Sequence, residues 1–359
     1  MNVVLAVECG ESDRVNPYTT QLHSALVARL GSSQLVHGVQ QFWSARQGIG
    51  VLHLQWPEAL VGLREPGTSD LERIAGSLQA WKREGTRIVV TIHNAHPHGV
   101  DSEYYRELYR MVYEAADGFV HLGDASIKFL FARFPEAVSG AAHRVIPHGD
   151  YSCLQGEGSA QEAKQSLGIP AGAQVVASIG RIRDVRELRL LSRGFDLAKL
   201  KQGLLLVAGR LPSSSRKQLG YYQLRWPYFV SRRKRLSEGL IPAGEIQKYV
   251  RAADVLAIPR IDNMNSGNIA LGFTFARVVV GPDIGVIGEQ LRLTGNPVFD
   301  PASPESFGEA LVKGMEQAGK GQGDRNLKWA EEHMSWTRVA DMHLDFYQDL
   351  TERAAARCQ

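Results

Sequence analysis

Cysteine is scarce in this sequence. Cys9, Cys153 and Cys358 are its three, odd in number and far apart, so neither a disulfide framework nor a zinc cluster is encoded. A reducing cytoplasm is the expected setting. No run approaches the ~18 apolar residues that a membrane span requires, and the opening MNVVLAVECG carries acid where a secretion signal carries base. Neither a span nor a leader is expected. Charge of one sign is missing as well: 41 Lys and Arg against 38 Asp and Glu leave a formal +3. That balance is too mild for a dedicated nucleic-acid binder, although it suits a protein that handles phosphates or touches an anionic membrane. No Asp-x-Asp stands at the end of a strand-like run, so no seat for a divalent ion is expected.

What the sequence does have is length and rhythm. Its 359 residues, 44% hydrophobic and 22% charged, are globular in balance and too many for one ordinary core, so two domains are expected. Short apolar runs recur at NVVLAV, 51–54, RIVVTI (87–92), GFVHL (118–122) and RVIP (144–147), separated by longer mixed segments such as 18–30, 69–84 and 102–116. This is the pattern of a buried parallel sheet with helical crossovers. A small, polar stretch at 152–161 reads as a linker, after which the rhythm restarts with QVVASI (174–179), GLLLVA (203–208), PYFV (227–230), DVLAIP (254–259) and RVVVGP (277–282). Two doubly wound α/β domains, 1–155 and 156–335, are therefore expected to face each other across a cleft. The helical tail 336–359 is expected to cross back to the first domain.

Two segments carry candidate chemistry. In NSGNIALGFTFARVVVGP (265–282), Ser266, Gly267 and Asn268 stand where a helix begins, and its first amides and dipole suit a diphosphate; an ordinary capped helix has the same pattern. Arg181, with Arg183 and Arg186 close behind, follows directly on QVVASI, where guanidiniums can grip phosphate oxygens in pairs. His93, His96 and His98 lack acidic or cysteine partners at ligand spacing, so a metal is not expected there. The basic run Ser231–Arg235 reads as a solvated face, or as a contact for an anionic membrane or a lipid-diphosphate acceptor. Trp43, Trp56 and Trp81 read as core rather than as sugar-stacking platforms.

GRIRDVREL, LLLVAGR, GLIPAGEIQKYVRAADVLAIPR, the glycine-bearing helix 266–275, ARVVVGPDIGVIGE and NPVFDPASPESFGEAL resemble, in order and spacing, the donor domain of family-four retaining glycosyltransferases. VTIHNAHPH, ADGFVHLGDAS and VIPHGDY resemble the acceptor domain of the same group. The resemblance implies the GT-B fold and transfer of a sugar from a UDP- or GDP-linked donor, a co-substrate rather than a bound cofactor, to a glycan or lipid-diphosphate acceptor. It also implies retention of anomeric configuration, no metal, and work in polysaccharide or glycoconjugate assembly at the inner face of a membrane.

By the same resemblance Arg181 and Arg186 contact the donor diphosphate together with Ser266, Gly267 and Asn268, and His93 reaches the donor sugar. Asn16, Tyr18, His96 and His98 approach the acceptor, Asn16 and Tyr18 from a flexible loop. The family's two glutamates fall on Asn263 and Leu271, neither acidic; Asp262 stands one position from the first, and Glu289 is the nearby carboxylate offered for the nucleotide. A nucleotide-sugar epimerase and a non-catalytic homologue that binds nucleotide or glycan are the competing readings.

Overall fold

The computed structural model describes residues 1–10, 16–94, 102–212 and 219–357, without the side chains of 219–221, 223, 224 and 354–357. The chain divides into two compact units, Met1–Gly149 with Met334–Gln359, and Asp150–His333. Each is built on one six-stranded sheet in which every neighbouring pair is parallel.

In the first unit the strands are β1 (Val3–Ala6), β2 (Leu35–His37), β3 (Val51–Leu54), β4 (Arg87–Ile92), β5 (Gly118–His121) and β6 (Ala142–Val145), in spatial order 2-1-3-4-5-6. The central strands are buried and mostly apolar, His53 in β3 and His121 in β5 excepted, because helices cover both faces and nothing selects for alternation. The final helix, Trp336–Arg357, belongs to this unit: Val339, Ala340, Phe346, Tyr347 and Leu350 enter the cluster built by Val3, Leu5, Tyr18, Leu22, Val51 and Val120. Gly149 is what lets the helix in, since a Cβ there would lie 2.3 Å from the Trp336 ring. Arg29–Asp341 and Arg144–Asp349 ion pairs, both 2.6 Å, fasten the rim.

The second unit holds β7 (Gln174–Ile179), β8 (Gly203–Gly209), β9 (Lys234–Glu238), β10 (Val255–Ala257), β11 (Val278–Pro282) and β12 (Val298–Phe299), in order 12-11-10-7-8-9. Read from β9, this is the doubly wound dinucleotide-fold order, whose direction of winding reverses between β7 and β10. Ligands of such sheets bind beyond the carboxyl ends of the strands at that reversal, and here those ends deliver Gly180–Arg183 and Arg260.

One strand lies elsewhere than the sequence suggests. PYFV, read as a strand, ends the helix Leu219–Val230, and the strand is KRLSE, inside and beyond the basic run. Much of that run is consequently structural. Lys234 is buried, bonding Ser192 Oγ at 2.9 Å and Asp196 at 2.6 Å, while Arg233 and Arg235 donate to the carbonyls of Leu200 and Leu167 at 2.9 and 2.7 Å.

Candidate functional site

The loop after β7 is fixed by the strand beside it. Gly180 N–H donates to Ala208 O and Ile182 N–H to Arg210 O, both at 2.8 Å, so the loop follows β8 residue by residue. The approach is close enough to demand glycine: Gly209 has φ +148°, and a Cβ there would fall 1.8 Å from Gly180 O. Between the two anchors Arg181 is exposed and makes no hydrogen bond or ion pair among the described residues.

Behind Arg181 lies a charge cluster of which sequence reading marked only Arg183. Glu187, in the first turn of the helix Val185–Ala198, is 1% exposed and accepts from Arg260 Nη1 at 2.7 Å and from the Arg183 amide at 2.8 Å. Arg260, 8% exposed, comes from the loop after β10, so one carboxylate ties together the two strand ends that flank the reversal. Burial, and then the like charge of Arg260, push the Arg183 guanidinium down to about 10, with Arg181 adding to the effect against Glu187 and Asp262. A cation held in that condition gains from an incoming anion. Arg186 is exposed and paired with Asp184 at 3.0 Å, an arrangement worth little to stability.

The loop 261–267 follows Arg260. Asp262 is exposed, whereas Asn263 is 3% exposed and neither its Nδ2 nor its Oδ1 has a partner. The next helix, Asn268–Thr274, is short, and its start is partly occupied: Asn268 N–H reaches Ser266 Oγ at 3.4 Å and Ile269 N–H the Ser266 carbonyl at 3.3 Å. Asn268 contributes through its side chain, donating from Nδ2 to Ile179 O at 2.8 Å and so tying the helix start to the carboxyl end of β7. Glu289 is half-buried on the helix Gly285–Leu293, whose first turn is pinned to the same loop by Val286 N–H donating to Met264 O at 2.9 Å. Arg181, Arg183, Arg260, Asn263 and Asn268 thus gather at the ends of β7 and β10. Arg260 and Glu187 were missed as site residues because their pairing spans 73 positions.

A buried polar group without a partner costs about 1–3 kcal/mol. Asn263→Leu is therefore expected to raise the unfolding free energy of the free protein by about 1 kcal/mol or more while impairing function. Denaturant titration checks this; a destabilised variant would show that the amide serves the fold instead.

In the first unit, Asn16 and Tyr18 do not form a flexible loop. Asn16 caps the helix Pro17–Leu30, accepting from Tyr18 N–H at 3.1 Å, and Tyr18 is 1% exposed, its ring packed against His93, His148 and Trp336. A core position leaves the phenol ring with little surface to offer an acceptor. His93 follows β4, lies flat on Trp56 with ring centroids 4.3 Å apart, and bonds Gln55 Oε1 through Nε2 at 2.7 Å; burial pushes its pKa down to about 3. It is a neutral imidazole whose one N–H, on Nε2, goes to the Gln55 carbonyl oxygen, so that Nδ1 can only accept. Trp81 is core, donating to Phe42 O at 2.7 Å, and Trp43 lies under Arg73. His96 and His98 lie outside the described residues. Among those described, no three His, Cys, Asp or Glu side chains are grouped to hold a metal ion.

No family model and no curated protein sequence matches the chain. Solved structures do. Sucrose-phosphate synthase from Thermosynechococcus elongatus superposes with TM-score 0.69 at 14% identity, covering 98% of this chain and 100% of that one. HepE from Anabaena, in complex with UDP, gives 0.70 at 12% identity over 97% and 100%. The catalytic domain of starch synthase IV from Arabidopsis thaliana, bound to ADP and acarbose, gives 0.60 at 13% over 93% and 77%. At such identities the likeness is one of fold, and the fold of this chain is the GT-B fold shared by these glycosyltransferases.

Proposed function

We propose that this chain is a glycosyltransferase that moves a sugar from a UDP- or GDP-linked donor to a hydroxyl of a glycan or lipid-linked acceptor. The observation that carries the reading is the charge cluster at the ends of β7 and β10, where Arg183 and Arg260 act on the single buried carboxylate of Glu187 and the exposed Arg181 lies within electrostatic reach of Arg183. Solved proteins of the same fold hold UDP or ADP, which supports a nucleoside diphosphate as the anion.

Breaking the bond between anomeric carbon and phosphate leaves negative charge on the diphosphate. Fixed cations aimed at that charge stabilise it without reorganising when the reaction occurs. In a retaining reaction the acceptor hydroxyl attacks from the leaving-group face and its proton passes to the departing phosphate, so no enzyme nucleophile is required. Asn263 and buried Leu271 in place of acids are compatible with that route, with guanidiniums rather than a divalent ion meeting the phosphate charge. Asn263 is placed to hydrogen-bond a sugar hydroxyl, Asn268 and Ser266 to hold the phosphate side of the loop, and Asp262 or Glu289 to meet the sugar or the ribose.

Arg181→Ala tests the assignment. Loss of a charge-assisted hydrogen bond is expected to weaken binding of UDP or GDP about ten- to hundredfold, with the unfolding midpoint of the free protein unchanged. Calorimetry reads the first and a thermal scan the second; nucleotide affinity equal to that of the parent protein would remove the assignment. Sugar transfer that persists in EDTA would support metal independence.

The same substitutions favour one second reading, a binder that has lost catalysis, because Leu271 is apolar and buried where the resemblance places an acid. Nucleotide binding with no turnover of any donor would select it.

A further inference from the structure

The helix Leu219–Val230 turns its hydrophobic face the wrong way. Tyr228 is 6% exposed and enters the core of the second unit beside Leu191 and Phe195. On the other side Tyr222, Trp226, Phe229 and Val230, at helical spacing i, i+4, i+7 and i+8, form one continuous stripe and are 55–67% exposed. A surface helix of a globular protein places polar residues there, and a clustered aromatic patch facing water marks a contact site.

The surroundings of the stripe are cationic. Lys199, Lys201, Arg232 and Arg233 are exposed and none has a carboxylate partner among the described residues. They lie near one another, because Arg233 donates to the carbonyls of Leu200 and Gly203 at 2.9 and 3.3 Å, on the segment that carries Lys199 and Lys201. The two nearby carboxylates are engaged, Asp196 by buried Lys234 and Glu238 by Arg225.

We infer that this face docks the protein on an anionic lipid bilayer, with the aromatic stripe at headgroup depth and the four cations against lipid phosphates. Tyr and Trp favour the membrane interface, where a ring meets chains on one side and water on the other. Lysine is depleted from interfaces between proteins but gains at a negatively charged membrane. Among the described residues no helix is long and apolar enough to cross a membrane. The inference does not depend on the arginine cluster or on glycosyl transfer.

The test is cosedimentation of the full chain with vesicles of phosphatidylcholine alone and of phosphatidylcholine containing about one third phosphatidylglycerol. Binding is expected only to the anionic vesicles and is expected to weaken as salt rises. Trp226→Ala/Phe229→Ala is expected to reduce it at least tenfold with circular dichroism and unfolding midpoint retained, and Lys201→Glu/Arg232→Glu, which leaves the stripe intact, by at least as much. Failure to bind anionic vesicles, binding that neither variant weakens, or light scattering that shows the stripe joining two copies of the chain would overturn the inference.

Discussion

Glu187→Gln is expected to lower the unfolding free energy by about 3–5 kcal/mol, because it leaves the buried Arg260 guanidinium without its carboxylate. Desolvation is the largest influence on Glu187 itself: burial pushes its carboxyl up, against the downward pull of Arg260 and Arg183. The pair is thus costly to bury and costlier to break. A double variant, Glu187→Leu/Arg260→Met, is accordingly expected to recover most of what the single variant loses, since buried ion pairs replaced by apolar groups are often neutral or better. Urea titration of the two proteins decides. Equal losses in both would show that the position matters for packing and not for charge. The double variant, stable again, is also expected to lose nucleotide affinity, which separates the work of the pair in the site from its work in the fold.

The second large effect is acid unfolding confined to one unit. Of 11 histidines only His333 lies in the second unit. In the first unit His53, His121 and His343 are fully buried. Burial lowers His53 well below 6.5, His121 to about 3 and His343 to about 4, with the neighbouring imidazoles His343 and His143 adding to the effect on His53 and His121 respectively. Burial holds them neutral, and each neutral ring is hydrogen-bonded: His53 between Tyr347 Oη at 2.6 Å and Thr91 Oγ1 at 2.8 Å, His121 against Ser126 Oγ at 2.7 Å, and His343 on Val339 O at 2.7 Å, a carbonyl that pulls the other way.

Because the folded pKa lies below the unfolded one, the unfolded chain takes up protons first. Stability is full above 6.5 and is lost as pH falls from there toward the folded values. Each ring contributes about 1.4 kcal/mol per pH unit in that window, so three of them remove about 6 kcal/mol between pH 6.5 and 5, a large share of a typical domain's 5–15 kcal/mol. Hydrogen exchange at pH 5 is expected to show the strands β1, β3, β4 and β5 opening while β7, β8, β10 and β11 stay protected. Uniform protection at that pH would mean that these rings are protonated without cost.

Central strands and edge strands differ in how far the sequence reveals them. VVLA, VLHL, RIVVTI, GFVH, QVVASI, GLLLVAG and VVVGP were all legible, because a strand covered by helices on both faces is apolar over most of its length, with His53 and His121 among the buried exceptions. The four outer strands were not: β2 and β12 went unmarked as strands, β6 begins two residues earlier than RVIP suggests, and β9 is the polar KRLSE. An edge strand buries little and pairs on one side, so nothing forces its side chains to be apolar. PYFV misled for the converse reason. Its Phe229 and Val230 serve an exposed helix face and its Tyr228 the core, none of them a sheet.

The candidate site divides along a similar line. Arg181 and Asn268 were legible because each adjoins the strand or helix end that positions it. Arg183 was legible beside Arg181, but the Glu187–Arg260 pair behind it joins a helix start to a loop, and a single sequence carries no mark of a pair separated by 73 positions. Tyr18 and Asn16 were legible as residues near a first loop but not as core and cap.

What the sequence determined by itself is the alternation that makes two parallel sheets and the placing of glycines and arginines at strand ends, since both follow from local geometry and from the burial of whole segments. What only the tertiary structure decided is which charges face each other, which imidazoles lose their water and which aromatic rings keep theirs. Those outcomes depend on distances between segments remote in the chain, and desolvation and Coulomb energy are set by that arrangement rather than by residue order.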